Sequence, residues 1–228
     1  MPFLTVELHC HTRYSRDSLI LPDRLLELCR RRGLDRIAIT DHNTIAGARE
    51  AAHLDPGRVI IGEEIHTTEG ELLAFFLQEE VPPGLTPEQT IARLRAQGAL
   101  ISVSHPFDSL RSGGWSEVRL RTLLPMVDAL EVFNARVWSS SANHQAAALA
   151  TELGLLGTAG SDAHAYAEVG RVRMQLPSFD DASGFRQALI HARIVGRRSS
   201  PLVHLASRWA TWCKALGWRP ATGRRPNV

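Results

Sequence analysis

Short apolar runs typical of buried strands alternate with segments of helical period along most of this 228-residue chain. Parallel strands need crossover connections, which are usually helices, so the alternation predicts a parallel α/β sheet. About seven strand–helix units in one chain favour a closed or nearly closed barrel over an open sheet. The third and fourth strands are separated only by a polar turn, which predicts a hairpin. The runs predicted as strands are Phe3–Leu8, Arg36–Thr40, Val59–Ile65, Leu72–Leu77, Leu100–Val103, Ala129–Phe133, Leu156–Ala159 and Ile194–Gly196.

Helix boundaries follow from capping signals. Thr86 is a predicted N-cap, and Gly154 follows the last turn of a helical segment, where glycine commonly ends a helix. The pattern of alternating elements weakens after Pro177. The helices predicted in this way are Pro22–Arg32, Thr44–His53, Pro87–Gln97, Ser116–Leu124, Ser141–Leu153, Asp181–Ala192 and Pro201–Leu216. The predicted fold is an α/β, distorted (β/α)7-type, TIM-like barrel over residues 1–198 with a short C-terminal helical appendage over residues 199–228.

The charge of the chain is nearly balanced but unevenly distributed. Lys and Arg total 26 against 24 Asp and Glu, and this net charge of +2 is too small for nucleic-acid binding by bulk electrostatics alone. From Arg193 onward the chain contains only basic charged residues, while the remainder carries about six negative charges. The appendage is therefore a basic amphipathic helix and tail. The simpler interpretation is that this helix packs on the barrel. The alternatives are that it contacts a membrane surface, a nucleic acid or another protein.

Composition places the chain among ordinary globular proteins. Hydrophobic residues make up 44% and charged residues 22%, which excludes disordered and collagen-like classes. The 3 cysteines lack paired spacing, which suits a reducing compartment. No signal peptide or transmembrane segment is apparent, so we expect a cytoplasmic protein.

Histidines and carboxylates follow the predicted strands. In parallel α/β proteins the carboxyl ends of the strands meet on one face, so these side chains are expected to converge there. The residues at or just beyond predicted strand ends are His9, His11, Asp17, Asp41, His42, Glu63, Glu64, His66, His105, Glu131, Asn134, Asp162 and His164, and Glu71 opens the fourth strand. Imidazole nitrogen and carboxylate oxygen together suit Mn²⁺, Zn²⁺ or Fe²⁺.

Each piece of this pattern also has a structural explanation. A single His-x-His pair such as His9 and His11 is a weak metal signal, although strand alternation turns both rings to one face. Asp41 next to His42 is also typical of a turn or a helix N-cap. Five such groups at successive strand ends are hard to explain by turn chemistry, because buried charges without partners are costly. Together they predict a multinuclear metal centre.

Six segments resemble the polymerase and histidinol phosphatase (PHP) superfamily of metal-dependent phosphoesterases. They read ELHCHTRYSRDS, AITDHNTI, GEEIHTTEGELLAFFL, SVSHPFD, LEVFNAR and TAGSDAHAYAEVG, and they span residues 7–170. The resemblance implies the PHP fold, a distorted barrel of about seven strands with two or three divalent metal ions at the carboxyl ends of those strands.

The resemblance also implies a ligand set. The first metal would be held by His9, His11, Glu64 and Asp162. Glu64 would bridge to a second metal that His105 also binds, and the third would be held by Asp17, His42 and His164. Many family members have histidine at the position of Glu71, so this chain departs there from the common pattern. A carboxylate ligand at Glu71 would shift the preference of the second site toward Mn²⁺ or Mg²⁺.

Three further residues are catalytic candidates. Asp41 would orient His42 or a metal-bound water, and Arg136 would clamp a phosphate, although arginine on a loop is often only a solvated charge. His66, two residues beyond Glu64, would contact substrate. Arg13 and Arg171 are alternative phosphate contacts.

The predicted activity is phosphoester hydrolysis by a water molecule that the metals activate. The enzyme would be a phosphatase or a 5'-3' exonuclease, acting on a small phosphorylated substrate, a nucleotide or the end of a short oligonucleotide. The chain has neither a G-x-S-x-G elbow nor a P-loop, which argues against serine hydrolase and P-loop nucleotide chemistry. The alternative is a non-catalytic domain that contacts a nucleic acid or membrane through its C-terminal tail.

Overall fold

The computed structural model describes residues 2–108 and 115–218. Within those ranges the strands are β1 (Phe3–Glu7), β2 (Arg36–Ile39), β3 (Val59–His66), β4 (Glu71–Phe75), β5 (Leu100–Val103), β6 (Ala129–Asn134), β7 (Leu156–Gly160), β8 (Val172–Pro177) and β9 (Arg193–Gly196). The helices are α1 (Pro22–Arg31), α2 (Ala46–Leu54), α3 (Pro87–Ala96), α4 (Glu117–Leu123), α5 (Ser140–Leu153), α6 (Ala182–Leu189) and α7 (Val203–Ala215). A short 3₁₀ turn, Leu124–Met126, follows α4.

All of these strands form one curved sheet in the order β7-β6-β5-β4-β3-β2-β1-β8-β9. Beyond the ends of β1 and β7 the two segments approach and pair through Cys10 and Ala163. The His11 amide donates to the Ala163 carbonyl at 2.9 Å, and the Ala163 amide donates to the His9 carbonyl at 3.2 Å. The sheet is thus nearly closed, which confirms the predicted barrel.

The sheet is mixed rather than parallel. Strand β4 runs antiparallel to β3, as the predicted hairpin requires, and it is also antiparallel to β5, which the alternation of strands and helices did not predict. The sequence pattern also failed to indicate β8, which pairs antiparallel with β1 and with β9. Its alternation of buried Val172, Met174 and Leu176 with polar neighbours is a strand signal. That signal is easily missed because no helix separates β8 from β7.

Local signals explain most element boundaries. The Thr86 side chain accepts a hydrogen bond from the Gln89 amide at the start of α3, as part of a capping box. Helix α5 ends at Gly154, whose φ of 63° lies in the left-handed region that favours glycine.

The barrel interior is filled by one apolar cluster that joins residues of several strands to α6, including Val6, Ile60 and Phe185.

Helix α7 lies over the carboxyl end of the barrel and contacts it through small residues. Ser207, Ala210 and Cys213 are buried, and the Lys214 ammonium donates to the carbonyl of Arg13 at 2.6 Å. Helix α7 thus packs on the barrel, as the simpler interpretation of the appendage expects, but the large apolar residues along it point to solvent. These are Leu202, Leu205, Trp209 and Trp212, each 55% to 70% exposed. The small face is buried instead because it allows a close approach to the loops. The basic residues beyond 218 lie outside the described part of the chain, in which no helix is both long and apolar enough to cross a membrane.

Glu7 fastens the seam where the barrel closes. Its carboxylate accepts hydrogen bonds from the Ser161 amide at 2.8 Å, the Gly170 amide at 2.9 Å, the His9 amide at 3.2 Å and the Ser161 hydroxyl. Burial raises the pKa of Glu7 to about 7 although these hydrogen bonds lower it. One buried side chain therefore joins β1 to the segments after β7 and before β8.

We expect Glu7→Gln to lower the free energy of unfolding by about 2 kcal/mol, because a glutamine amide cannot accept all of these bonds and leaves a buried N–H unpaired. Urea unfolding in the presence of a chelator measures the change without a contribution from bound metal. The matched control is Glu63→Gln. Burial raises the pKa of Glu63 to about 8, so that it is neutral at pH 7, and it accepts one bond from the Val81 amide. Equal losses in both variants would contradict the seam role of Glu7.

Candidate metal centre

The structure brings all nine predicted ligands to the carboxyl end of the barrel. They come from the β1–α1 loop, the segment after β2, the strand β3, the start of β4, and the segments after β5 and β7. The residues are His9, His11, Asp17, His42, Glu64, Glu71, His105, Asp162 and His164. Four groups of three side chains place their ligand atoms within 4.8 Å of one another. Together they have the density of nitrogen and oxygen donors that a multinuclear site requires.

Glu64 lies at the middle of the cluster. Its Oε1 is 3.3 Å from His9 Nε2 and 3.0 Å from His105 Nε2. Its Oε2 is 3.3 Å from His11 Nε2 and 3.1 Å from His42 Nδ1. The two oxygens thus face different pairs of imidazoles. The neighbouring Glu63 is buried elsewhere, against the Val81 amide.

Two aspartates enclose the cluster on the other side. Asp162 Oδ1 is 3.3 Å from His11 Nε2 and 3.6 Å from His9 Nε2. Asp17 Oδ2 is 3.2 Å from His164 Nε2, and its Oδ1 is 3.7 Å from His42 Nε2. Asp17 thus joins the two histidines with which the resemblance groups it.

Glu71 extends the cluster toward solvent. Its Oε2 is 3.1 Å from His105 Nε2, and its Oε1 is 2.8 Å from His66 Nε2. The His66 side chain is 44% exposed, and its Nδ1 lies 3.4 Å from the side-chain nitrogen Nδ2 of Asn43. A glutamate at this position therefore keeps a ligand oxygen beside His105 and adds a contact to His66.

Three imidazoles are oriented by a hydrogen bond at Nδ1. His9 Nδ1 is 2.9 Å from Glu131 Oε1, and His164 Nδ1 is 2.8 Å from the Asp162 carbonyl. His11 Nδ1 is 3.0 Å from Ser15 Oγ. Because each partner acts as an acceptor, Nδ1 carries a proton and Nε2 is the nitrogen that faces the cluster. This is the arrangement by which proteins usually hold metal-binding histidines.

The two histidines of the His-x-His motif converge without belonging to a strand. Strand β1 ends at Glu7, yet His9 Nε2 and His11 Nε2 are only 3.1 Å apart. The pairing of Cys10 with Ala163 keeps the segment extended beyond the strand. The prediction of same-face geometry was therefore right, although its cause is the barrel seam rather than β1.

Asp41 supports the β1–α1 loop. Its carboxylate accepts hydrogen bonds from the Thr12 amide and hydroxyl, both at 2.6 Å, and from the Ser15 hydroxyl at 2.7 Å. Ser15 Oγ also accepts a bond from the His42 amide at 3.0 Å. Asp41 thus reaches His11 and His42 through Ser15. Gly47 leaves room for this arrangement, because a Cβ there would lie 2.1 Å from Asp41 Oδ2.

Electrostatics in the cluster favour ionised carboxylates. Although burial alone raises the pKa of Glu64, the charges of His9 and His42 lower it well below its ordinary value. Burial lowers the pKa of His9, but the charges of Glu64 and Asp162 raise it well above its ordinary value. The acids thus attract positive charge strongly enough to hold protons on buried imidazole, and a bound cation would displace such protons.

Buried polar atoms in the cluster test whether it fits metal ions. Asp17 Oδ1, His42 Nδ1 and Glu64 Oε2 are buried and make no hydrogen bond of good geometry within the described residues. Unpaired buried polar atoms are costly, and here they lie on adjoining side chains, because the His42 ring is 3.1 Å from Glu64 Oε2 through Nδ1 and 3.7 Å from Asp17 Oδ1 through Nε2. Divalent cations would satisfy them, and the mixed imidazole and carboxylate donors suit Mn²⁺, Zn²⁺ or Fe²⁺. The residues present therefore fit the metal ions that the resemblance implies.

Two of the ligand residues have left-handed backbone conformations. His105 has φ 23° and Asp162 has φ 53°, which is uncommon for residues other than glycine. Gly160, two residues before Asp162, lies close to the segment after β1. A Cβ on Gly160 would be 2.2 Å from His9 Cβ. Strained conformations of this kind cluster at functional sites, where the surrounding structure holds them in place.

The cluster opens into a cavity of about 650 Å³. Its wall includes Arg16, Arg136 and Arg208, of which the last belongs to α7. Arg136 is 4% exposed, and its guanidinium donates to Ser207 Oγ at 2.6 Å and pairs with Glu168 at 3.3 Å. Its guanidinium is therefore held in place at the cavity wall, where it forms an ion pair with Glu168. Arg13 is instead paired with Glu50 at 2.8 Å and is not among the residues lining this cavity.

Sequence patterns gave no role to Glu131, Asn134 and Ser15, which orient the ligands. Glu131 Oε2 accepts bonds from the His105 amide at 2.8 Å and from Asn134 Nδ2 at 3.1 Å. Asn134 Nδ2 also reaches Asp162 Oδ2 at 3.2 Å. Glu131 and Asn134 carried a signal, because they are polar residues at the end of an apolar strand. Ser15 carried no such signal, because nothing in the sequence distinguishes it from the other residues of its loop.

Sequence comparison identifies relatives of this chain. Residues 7–96 match the family model described as PHP domain, and residues 140–194 match the one described as PHP-associated. Two uncharacterised proteins of Methanocaldococcus jannaschii are similar to the chain. One is 37% identical over 145 residues, covering 58% of this chain and 82% of that protein. The other is 36% identical over 170 residues, covering 73% of this chain and 68% of that protein.

Solved structures share the fold at lower sequence identity. PsfC from Pseudomonas syringae superposes with a TM-score of 0.67 at 22% identity, covering 95% of this chain and 100% of that chain. A lesion-specific endonuclease from Pyrococcus furiosus superposes with a TM-score of 0.60 at 16% identity, covering 88% of this chain and 60% of that chain. The family matches, together with the two similar sequences, show that the chain belongs to the PHP family, and the solved structures share its fold.

Proposed function

We propose that this protein is a metal-dependent phosphoesterase. Its substrate would be a phosphomonoester, or a phosphoester bond of a nucleotide or at the end of a short oligonucleotide. The single observation that carries the proposal is the position of Glu64, whose two carboxylate oxygens face two different pairs of imidazoles. Each oxygen lies between a histidine proposed below for the first metal, His9 or His11, and one proposed for another metal, His105 or His42, so this carboxylate is suited to bridge metal ions.

The nine predicted ligands divide into three groups around Glu64. His9, His11, Glu64 and Asp162 would hold one metal ion. The second would be held by Glu64, Glu71 and His105. The third would be held by Asp17, His42 and His164. The larger share of oxygen donors in the second group favours Mn²⁺ there.

Divalent ions in such a site lower the pKa of water and neutralise phosphate oxygens. The residues of the chain do the rest. Glu131 and Ser15 keep the Nε2 lone pairs of His9 and His11 directed inward. Arg136 places a positive charge on the cavity wall, where it would attract the phosphate.

His66 is the candidate for a hydrogen bond to the substrate. Asn43 lies at its Nδ1, and its Nε2 is within hydrogen-bond distance of Glu71 at the cavity wall. With Asn43 donating to Nδ1, the proton is on Nε2, from which His66 would donate a hydrogen bond to a phosphate oxygen of the substrate. Asp41 acts through Ser15 and is a positioning residue in this proposal.

The test is hydrolysis of 4-nitrophenyl phosphate and of bis(4-nitrophenyl) phosphate by protein stripped with a chelator and reloaded with Mn²⁺. We expect hydrolysis only after reloading, and at least about a thousandfold less in an Asp162→Ala, His164→Ala double variant. Preference for the first compound would assign a monoesterase, and preference for the second a diesterase. Equal hydrolysis by the reloaded wild type and the double variant would contradict the proposal.

A further inference from the structure

Helix α7 and its two flanking residues carry a row of large apolar side chains that the rest of the described chain leaves open to solvent. This row, the apolar stripe, consists of Leu202, Leu205, Trp209, Trp212 and Leu216, each 55% to 70% exposed. We propose that the apolar stripe binds the surface of an anionic phospholipid bilayer and holds the barrel at a membrane. This binding would not depend on the phosphoesterase activity proposed above.

The apolar stripe is continuous along one side of the helix. Its successive members are separated by three or four residues, which places them on one side of a helix with 3.6 residues per turn. The ring centroids of Trp209 and Trp212 are 5.2 Å apart. Single exposed apolar residues are common on protein surfaces, whereas a contiguous row marks a contact with another protein or a membrane.

A different side of α7 fastens the helix to the barrel. Ser207 is buried and accepts a hydrogen bond from the Arg136 guanidinium at 2.6 Å. The Lys214 ammonium donates to the Arg13 carbonyl at 2.6 Å. The stripe therefore belongs to a helix that is already folded and held in place. A bilayer could cover the stripe without detaching α7 from the barrel.

The charge of this region complements an anionic surface. From Arg193 onward every Asp, Glu, Lys or Arg position is basic. Arg208 is exposed on α7, and Arg197 is exposed shortly before the helix. Three more basic residues follow in the sequence beyond the described part of the chain, namely Arg219, Arg224 and Arg225. Basic residues beside an apolar helical stripe are attracted to the negative headgroups of acidic lipids while the apolar side chains enter the acyl boundary.

The composition of the stripe favours a bilayer over other partners. Tryptophan has a large apolar ring with one N–H donor, so it is suited to the boundary between headgroups and acyl chains. A second copy of this chain is a poorer partner, because symmetric pairing of two stripes would bring two basic regions together. A nucleic acid would attract the arginines through its phosphates but would leave the leucines of the stripe without an apolar environment.

Co-sedimentation of the full-length protein with lipid vesicles tests the proposal. We expect binding to phosphatidylcholine vesicles that contain about one third phosphatidylserine, and at least about tenfold weaker binding to phosphatidylcholine alone. A Trp209→Ala, Trp212→Ala double variant should bind the acidic vesicles at least about tenfold more weakly than the wild type. Both side chains are more than half exposed, so the variant should keep the thermal unfolding temperature of the wild type.

The matched control is a Phe3→Ala, Val118→Ala double variant, which removes exposed apolar surface from β1 and α4 instead. Phe3 is 55% exposed and Val118 is 81% exposed, and binding to acidic vesicles should be unchanged. Equal binding of the wild type to both kinds of vesicle, or equal binding of the tryptophan variant and the wild type, would overturn the proposal. A wild-type dimer in analytical ultracentrifugation that binds no vesicle, and that the tryptophan variant converts to a monomer, would assign the stripe to a second copy instead.

Discussion

Replacing Glu64 by glutamine is expected to lower kcat/KM by about a thousandfold or more and to reduce the number of bound metal ions. The amide keeps the volume of the side chain but removes the negative charge and one of the two anionic oxygens. Both oxygens lie 3.0 to 3.3 Å from imidazole nitrogens of the cluster. A metal-bridging group supplies several kcal/mol of transition-state stabilisation, and about 1.36 kcal/mol is a factor of ten in rate.

The matched control for this variant is Glu63→Gln. Glu63 precedes Glu64 in the same strand, but it accepts a bond from the Val81 amide, and burial raises its pKa to about 8. At pH 7 it is neutral, so an amide replaces it with little change. Elemental analysis and steady-state kinetics on both variants measure the effect. If Glu64→Gln keeps the wild-type metal content and rate, Glu64 does not bridge metals.

Glu131→Gln is expected to weaken metal binding by about ten- to a hundredfold while leaving the rate at saturating metal nearly unchanged. Glu131 is not among the residues that line the metal cavity, and it acts on the ligands from behind. Its carboxylate accepts bonds from His9 Nδ1, the His105 amide and Asn134 Nδ2. An amide in its place turns an N–H toward one of these donors, which releases at least one of the two histidines.

Titration of chelator-treated protein with Mn²⁺ measures this change in metal affinity. Glu117→Gln serves as its control, because the side chain of Glu117 is 64% exposed and pairs with Arg121 on the surface of α4. A loss of the maximal rate with unchanged metal affinity would show that Glu131 acts on the reaction rather than through the ligands.

The ligand set was predictable because the chemistry of the site lies at strand ends. Most ligands lie at or just beyond the end of a strand whose apolar residues were recognisable, and a barrel brings the ends of its strands together whatever their exact bounds. His9 and His11 illustrate this, since they converge although β1 ends at Glu7. The antiparallel placement of β4 and the presence of β8 did not change which face carries the site.

The supporting residues could not be assigned from the sequence in the same way. Ser15 contacts Asp41, His11 and His42, and these residues meet only after the β1–α1 loop has folded against the segment that follows β2. The orientation of α7 on the barrel could likewise not be predicted from the sequence pattern. Its apolar stripe predicts burial by periodicity, but Lys214 binds a loop carbonyl and Ser207 binds Arg136, which turns the stripe outward.

The central claim is that this barrel holds catalytic metal ions. Elemental analysis of the purified full-length chain, combined with 4-nitrophenyl phosphate hydrolysis before and after Mn²⁺ loading, tests it most directly. We predict about two to three divalent ions per chain and hydrolysis that rises and falls with metal content. A folded protein that binds no divalent ion after Mn²⁺ loading and hydrolyses no phosphoester would contradict the account.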